Sequence, residues 1–231
     1  MISTDLQHAD YRIRLLIGAL GLLLPFLLPL AKGDFLASIS HYYYDTLSSL
    51  IFIIVLSSFG LFLISYKGYK IDITTEKISD DYLTNIAGLA ALVVVFIPTS
   101  CCGSMSDQIN ELCKAQQLPL FGHSSASLNF IHLAAAGVFI LCMGWMSRFK
   151  FTRGSDLENH KLYIYCGNSV FISVGLIIVF MVLEKYVIDG PFFLKDYYVY
   201  VFETTAVIPF GISWLVKGNI IGLGKKMLAK H

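Results

Sequence analysis

The sequence predicts an all-α integral membrane protein, a single polytopic domain of six transmembrane helices that occupies residues 1–231. Composition is the first observation, because 56% of the 231 residues are hydrophobic and only 14% are charged, whereas soluble domains carry about 25% charged residues. The second observation is the regular spacing of long apolar stretches along the chain. The third is an uneven distribution of Lys and Arg between alternate loops, which orients the bundle.

Five apolar stretches reach the roughly 20 residues that a helix needs to cross the hydrocarbon core. The first follows Arg12 and Arg14 as a signal peptide would, but its apolar core is long and no A-x-A-like cleavage site follows, so we expect a retained span. The third has a dense apolar core of only about a dozen residues, which is also typical of a buried or re-entrant segment. The predicted spans are 12–31, 45–66, 82–98, 127–147, 162–183 and 197–217.

The distribution of positive charge favours six spans over five. With six spans, 13 Lys and Arg residues fall on the side that holds both termini and 4 fall on the other side. The positive-inside rule then places both termini in the cytoplasm, and we expect Lys217 to extend to the cytoplasmic interface. With five spans, the basic loop after residue 147 would lie outside, against the rule. We expect a multi-pass protein of a bacterial inner (plasma) membrane.

The longest external connection, residues 99–126, carries three cysteines. In an oxidising compartment Cys113 can form a disulfide with Cys101 or with Cys102, which would close a small loop. Three free or partly buried thiols are the alternative. Cys142 and Cys166 lie within spans, where we expect them to pack against other helices.

Polar side chains gather at the external ends of the spans, where burial in hydrocarbon is costly and calls for a function or a structural partner. His41 and Asp45 are four residues apart, so on one helical face the carboxylate would hydrogen-bond the imidazole. Glu203 lies about two turns inside the last span, where it either serves a ligand or hydrogen-bonds to Thr or Tyr hydroxyls and locks the bundle. The candidate ligand-binding residues are Ser40, His41, Asp45, His123 and Glu203.

These side chains also have structural explanations. Ser40 is typical of a helix cap, which contributes about 1 kcal/mol. The run Tyr42-Tyr43-Tyr44 is typical of the aromatic belt at a membrane interface. His132 lies three residues after Asn129 on the same helical face, where a lone histidine is usually hydrogen-bonded inside the bundle.

A metal site is the alternative chemistry. His41, His123 and His132 would bind zinc, and Asp45 or Glu203 would act as the base. Zinc lowers the pKa of its bound water to about 7 and so supplies hydroxide. The chain has no H-E-x-x-H motif, so these ligands would have to converge from different helices.

Short motifs occur in a characteristic order along the chain. They are Ile39-Ser40 before the second span, Lys67-Gly68-Tyr69 after it, Phe96-Ile97-Pro98 closing the third, His123 ahead of a small-residue-rich fourth span, and Phe210-Gly211-Ile212-Ser213-Trp214 in the last. This order resembles the six-span FRAG/DRAM/SFK superfamily and its bacterial relatives. The resemblance implies cytoplasmic termini, a helix bundle and a role in membrane-lipid handling, with Ser40, His123 and Glu203 at the site. The cysteine-bearing loop and the His41–Tyr44 run depart from the pattern.

Three functional hypotheses follow from these observations. The first is a protein that binds a lipid or other amphiphile in an outward-facing polar cavity of the bundle. The second is a metal-dependent intramembrane hydrolase that acts on a lipid. The third is a channel or signalling effector that forms a homo-oligomer through small-residue faces. Nucleic-acid binding is not expected, since no region is basic enough or rich enough in exposed aromatic residues.

Overall fold

The protein is all-helical in the residues that this computed structural model describes, which are 3–68, 77–153, 158–186 and 194–219. The α-helices are α1 Ser3–Lys32, α2 Thr46–Ser65, α3 Asp80–Phe96, α4 Asp107–Lys114, α5 Ala126–Trp145, α6 His160–Tyr186 and α7 Tyr198–Lys217. A 3₁₀ helix, Ile39–Tyr44, precedes α2, and a π-helical segment, Met146–Lys150, continues α5. Tyr69 of the motif after the second span lies outside the described residues.

Within the described ranges, five helices are long and apolar enough to cross a membrane: α1, α2, α5, α6 and α7. The structure therefore supports an integral membrane protein. Helix α3 is the exception, since its 17 residues extend only about 25 Å at 1.5 Å per residue. The short helix α4 interrupts the connection between α3 and α5, where the sequence indicated a loop.

The six long helices form a closed ring in chain order. Each of α1, α2, α3, α5, α6 and α7 packs against the next, and α7 packs back against α1. Neighbours run antiparallel: Gly18 of α1 lies against Leu215 of α7, while Tyr200 near the start of α7 donates a hydrogen bond to the Pro25 carbonyl oxygen. The start of α1 and the end of α7 therefore lie at one end of the bundle, called here the terminal end. The opposite end, the loop end, carries the 3₁₀ helix and α4.

Glycines allow the closest helix crossings. A Cβ atom on Gly18 of α1 would lie 2.6 Å from the backbone nitrogen of Leu215. A Cβ atom on Gly88 of α3 would lie 2.6 Å from the carbonyl oxygen of Gly60 on α2. Without side chains at these positions the helix backbones approach each other directly, which is how helices associate where lipid removes the hydrophobic driving force.

Aromatic side chains fill the axis of the ring. Phe59 of α2, Phe139 of α5 and Phe210 of α7 meet there, with the Phe59 ring centroid 5.9 Å from that of Phe139 and 5.8 Å from that of Phe210. Trp214 continues the cluster toward the terminal end, 6.0 Å from Phe210, and is fully buried. The Phe59–Phe139 pair is stacked and the Phe59–Phe210 pair is edge-to-face. Both arrangements stabilise beyond the area that the rings bury. The axis of one protomer is therefore closed by packed rings at this level.

A proline explains one contact between α1 and α7. Pro29 has no N–H group, so the Pro25 carbonyl four residues earlier receives no helical hydrogen bond. The hydroxyl of Tyr200 donates to that carbonyl oxygen instead. An unsatisfied carbonyl is costly in hydrocarbon, so this contact both compensates the proline and joins the two helices.

Buried basic side chains hold the terminal end together. Asp80 at the start of α3 is 1% exposed, and its Oδ1 accepts a hydrogen bond from Arg153 and lies 3.6 Å from Nζ of Lys150. Lys217, for which the sequence suggested an extension to the cytoplasmic interface, is buried within the protein. Its ammonium is buried and donates to the Phe151 carbonyl oxygen at 3.0 Å, because the segment after α5 folds over the end of α7 and presents carbonyl groups there.

The buried ion pair gives a first prediction. Asp80→Asn leaves Lys150 and Arg153 without their carboxylate, so we expect the free energy of unfolding to fall by about 3 kcal/mol. The matched control is Glu111→Gln, which removes an ion pair to Lys114 whose side chains are 74% and 73% exposed. The control should leave stability unchanged, because water screens such a pair. Unfolding by a denaturing detergent measures both, and equal effects would contradict the argument.

The helix crossing gives a second prediction. Gly88→Ala forces a Cβ atom against the α2 backbone, so we expect a loss of about 1–3 kcal/mol in the free energy of unfolding. Gly137→Ala on α5 is the control, since no described heavy atom lies within 4 Å of its Cβ position. That control should gain about 0.5–1 kcal/mol from helix propensity. Opposite signs in thermal unfolding support close packing of α2 on α3, and equal signs refute it.

Candidate polar site at the loop end

The backbone that leaves α3 is held by three histidine rings. Pro98 stops the helix, which leaves the last carbonyl groups without helical partners. Nδ1 of His132 lies 2.7 Å from the Ile97 carbonyl oxygen, and Nε2 of His123 lies 2.8 Å from that of Pro98. Nε2 of His41 lies 3.4 Å from the Cys102 carbonyl oxygen. A carbonyl only accepts hydrogen bonds, so each of these ring nitrogens carries the hydrogen and donates it.

The second nitrogen of each ring accepts a hydrogen bond. Nε2 of His132 lies 2.9 Å from Oγ of Ser40, and Nδ1 of His41 lies 2.9 Å from Oγ of Ser38. Nδ1 of His123 accepts from the backbone N–H of Ser125 at 3.2 Å. One nitrogen of each imidazole therefore donates while the other accepts, which is the pattern of a neutral ring.

The structure does not bring the candidate zinc ligands together. Both ring nitrogens of His41, of His123 and of His132 are engaged with other groups of the protein, as described above. Among the described residues, the group of His, Cys, Asp or Glu side chains compact enough to share an ion consists of three cysteines, Cys101, Cys102 and Cys113. The histidines act here as hydrogen-bonding supports of the backbone.

Asp45 does not pair with His41. Its Oδ2 accepts a hydrogen bond from the backbone N–H of Ser48 at 3.0 Å and caps α2, and its Oδ1 lies 3.6 Å from Nζ of Lys32. The expectation assumed an α-helix through this region, which places residues four apart on one face. A 3₁₀ helix has 3.0 residues per turn, so His41 and a residue four positions later point in different directions.

The three tyrosines of the 3₁₀ helix are buried, not arranged as an interfacial belt. The Tyr44 hydroxyl donates to the Thr99 carbonyl oxygen at 2.5 Å, and the Tyr43 hydroxyl donates to that of Leu120 at 2.6 Å. Burial raises the pKa of Tyr43, and it raises the pKa of Tyr44 to about 12. Both phenols therefore stay protonated and keep donating, which fastens the external connection to the 3₁₀ helix.

Glu203 binds the start of the same 3₁₀ helix. Its Oε2 accepts a hydrogen bond of 2.7 Å from the backbone N–H of Ile39. The first N–H groups of a helix lack partners within it, so a carboxylate there serves as a cap. The sequence suggested that Glu203 contacts a ligand or a Thr or Tyr hydroxyl. Its partner in the structure is instead the backbone N–H of Ile39. Helix α7 is thereby joined to the segment that contains Ser40.

Cys101 and Cys113 form a disulfide in the structure. The bond joins α4 to the backbone just after α3. Cys102 remains a thiol, with its Sγ 3.6 Å from that of Cys113. From the sequence, either Cys101 or Cys102 could pair with Cys113. The structure pairs it with Cys101.

The 3₁₀ helix separates two cavities. The polar cavity, about 330 Å³, lies at the loop end, and the apolar cavity, about 50 Å³, lies on the bundle axis. The polar side chains of the first are Ser38, His41, Thr99, Cys102, Asn129, Glu184, Lys195, Asp196 and Tyr198. In the second, Ser40 and Glu203 lie among the apolar residues Leu24, Ile39, Phe52, Leu56, Phe59, Val94, Ala136, Phe139, Ile140, Val207 and Phe210.

The five candidate ligand-binding residues therefore do not share one cavity. His41 lines the polar cavity, Ser40 and Glu203 line the apolar cavity, and Asp45 and His123 line neither. Sequence reasoning overlooked Ser38, Glu184, Lys195 and Asp196. The charged residues among them flank the predicted ends of the last two spans, and that position at a membrane interface was the available signal.

Burial of His41 gives a third prediction. Desolvation lowers the pKa of its imidazole from 6.5 to about 4. Between these values the unfolded chain binds a proton that the folded protein excludes, so stability falls as the pH is lowered from 6.5 toward 4. We expect a loss of up to about 1.4 kcal/mol per pH unit in this range.

Thermal unfolding across this pH range measures the loss for the unsubstituted protein and for His41→Gln. The stability of the variant should depend less steeply on pH, because glutamine does not titrate and the contribution of His41 is lost. Identical pH slopes for the two proteins would contradict the assignment.

Chemically, the loop end offers a polar cavity for a charged or hydrogen-bonding group and, beneath it, a serine hydroxyl that donates to a neutral imidazole. The first arrangement suits binding, and the second suits proton transfer from the hydroxyl.

Comparisons of this chain with protein-family models, with curated proteins and with solved structures found no match.

Proposed function

We propose that this chain is a six-span membrane protein, with both termini in the cytoplasm of a bacterial cell, that binds an amphiphile through its polar cavity. The cavity carries the proposal. Its volume of about 330 Å³ falls in the range of about 300–1,000 Å³ that is typical of small-molecule sites.

The sixth span in this proposal is α3. It packs between α2 and α5 along the ring, from Thr84 beside the Tyr66 carbonyl at the terminal end to Ile97 beside His132 at the loop end. Its 17 residues are few for a lipid-exposed span. Contact with two longer helices and a locally thinner bilayer compensate for that length.

The orientation follows from charge at the terminal end. Arg14, Lys150, Arg153 and Lys217 all lie there, close to the start of α1 and the end of α7. Basic residues concentrate on the cytoplasmic side of membrane proteins. In this orientation the loop end, with its disulfide and both cavities, faces away from the cytoplasm, where an oxidising compartment preserves the disulfide.

The lining of the polar cavity reaches the lipid-facing side of the bundle. Leu133 of α5 and Met181 of α6 contribute apolar side chains to the wall, and Leu133 is 41% exposed. An amphiphile can therefore place its head group among the polar residues while its chain lies along α5 and α6 in the bilayer. A water-soluble solute would not need this apolar side of the wall.

The charges of the lining favour a zwitterionic head group. Glu184 and Asp196 supply carboxylates, Lys195 supplies an ammonium group, and Asn129 supplies an amide. Glu184 also accepts a hydrogen bond from the Tyr198 hydroxyl at 2.9 Å, which orients it in the wall. A head group with both an ammonium and a phosphate group can pair with both signs of charge.

The fourth prediction tests this binding. Native mass spectrometry of the detergent-solubilised protein, with lysophosphatidylethanolamine added as the zwitterionic probe, should show a one-to-one adduct. Leu133→Trp places a larger side chain in the lipid-side wall, so we expect its adduct occupancy to fall about tenfold, a change equivalent to about 1.4 kcal/mol of binding free energy.

The control is Leu141→Trp, on the same helix and 40% exposed, which lines neither of the two cavities. It should keep the adduct at the unsubstituted level. Lysophosphatidylglycerol, with an anionic head group, should bind more weakly than the zwitterionic probe. Equal occupancy in the two tryptophan variants would reject the polar cavity as the binding site, and the absence of any adduct would reject the function.

A further inference from the structure

We propose that Ser40 is a nucleophile for acyl transfer, with His132 as its general base, and that it accepts short acyl groups from oxygen esters. The inference stands apart from amphiphile binding, because Ser40 lines the apolar cavity on the other side of the 3₁₀ helix. It rests on the pairing of the two side chains, on the group that orients the imidazole, and on the cavity in front of the hydroxyl.

The hydroxyl and the imidazole are arranged for proton transfer. Oγ of Ser40 lies 2.9 Å from Nε2 of His132. Nδ1 of His132 donates its hydrogen to the Ile97 carbonyl oxygen at 2.7 Å, which leaves Nε2 unprotonated and facing the serine. A nucleophile, a base within hydrogen-bonding distance and a third group that orients the base are the diagnostic features of an activated serine.

The contact joins distant parts of the chain. Ser40 belongs to the 3₁₀ helix and His132 lies within α5, 92 positions further along the sequence, and His132 is 1% exposed. The other serine–histidine contact at the loop end is local. Ser38 is the N-cap of the 3₁₀ helix and its Oγ also accepts from the backbone N–H of His41, so capping accounts for that contact.

The cavity in front of Ser40 limits the size of the acyl group. Its volume is about 50 Å³, and a water-sized group occupies about 10–15 Å³ on this measure. It therefore accepts roughly four such groups, which suits an acetyl to butyryl chain and excludes a fatty acyl chain. Its wall is apolar apart from Ser40 and Glu203, so an alkyl group is favoured there over a charged one.

The reaction has two balanced halves. In the first, Oγ of Ser40 forms a bond to the ester carbonyl carbon while its proton moves to Nε2 of His132. The bond from that carbon to the alcohol oxygen then breaks, and the alcohol leaves with the proton from His132. In the second half a water molecule attacks the acyl-serine, gives its proton to His132, and releases the carboxylic acid as the proton returns to Ser40.

Glu203 belongs to the same proposal as a positioning residue. Its carboxylate lines the cavity and holds the Ile39 N–H, one residue before the nucleophile. By fixing the start of the 3₁₀ helix it sets where Oγ of Ser40 lies relative to His132. It acts through the backbone, so its removal should displace the serine without changing the base.

The test is covalent labelling of the full-length protein with a fluorophosphonate whose substituents on phosphorus are no larger than ethyl, so that it fits the cavity, followed by peptide mass spectrometry. We expect the adduct on Ser40 of the unsubstituted protein. His132→Gln should lower the labelling rate about 100-fold, the lower end of what a general base contributes. p-Nitrophenyl acetate should be hydrolysed at least tenfold faster than p-nitrophenyl octanoate, because the cavity excludes the longer chain.

Two controls separate the possible outcomes. Ser65→Ala removes an exposed serine hydroxyl at the far end of α2, which lines neither cavity, and should leave the labelling rate of Ser40 within a factor of two. Leu141→Trp, on the same helix as His132 and lining neither cavity, should also leave it unchanged. The lysophospholipid adduct and the serine label are separate readouts, so either proposal can fail alone. Absence of a Ser40 adduct, or equal labelling rates with and without His132, overturns the proposal. Equal rates on the two esters overturn the assignment of a short acyl group.

Discussion

The backbone that directly follows α3 is irregular, and the loop end of the protein is built around the carbonyl groups of this segment that have no helical partner. Carbonyls without partners are tolerated in a membrane protein only where other groups of the protein satisfy them. Three imidazoles do so here, at Ile97, Pro98 and Cys102. Each ring donates the hydrogen of one nitrogen to a carbonyl oxygen, and this determines its tautomer. The other ring nitrogen carries no hydrogen and therefore accepts a hydrogen bond. The serine contacts at Ser38 and Ser40 follow from that requirement.

The 3₁₀ helix transmits this constraint to both cavities. With three residues per turn, its side chains project in three directions. One direction places His41 at the polar cavity, and another places Ser40 at the apolar cavity. The third carries Tyr42, whose hydroxyl donates to the Asp34 carbonyl oxygen. Glu203 holds the first amide of the helix. A short element with its ends and side chains held in this way has little freedom, which keeps the wall between the cavities rigid.

Much of the architecture could be predicted from composition and pattern, because lipid imposes simple rules. The long apolar stretches of the sequence form helices in the structure. The site was harder to predict for physical reasons. Whether His41 pairs with Asp45 depends on the type of helix between them, and the burial of Lys217 depends on a loop that folds over it. A cavity arises from gaps between helices, and no local pattern records those gaps.

The 3₁₀ helix forms part of the lining of both cavities, so the two proposed activities share one structural element. Ser38 and His41 belong to the polar cavity and Ser40 to the apolar cavity, yet all lie within four consecutive residues. An amphiphile that displaces the His41 ring would strain the contact between Ser40 and His132, because the backbone of one 3₁₀ turn moves as a unit. Binding in the polar cavity therefore preserves the contact between Ser40 and His132 only if the head group leaves His41 in contact with Ser38 and Cys102. A zwitterionic head group that pairs with Glu184 and Lys195 of the lining, and not with His41, would meet that condition.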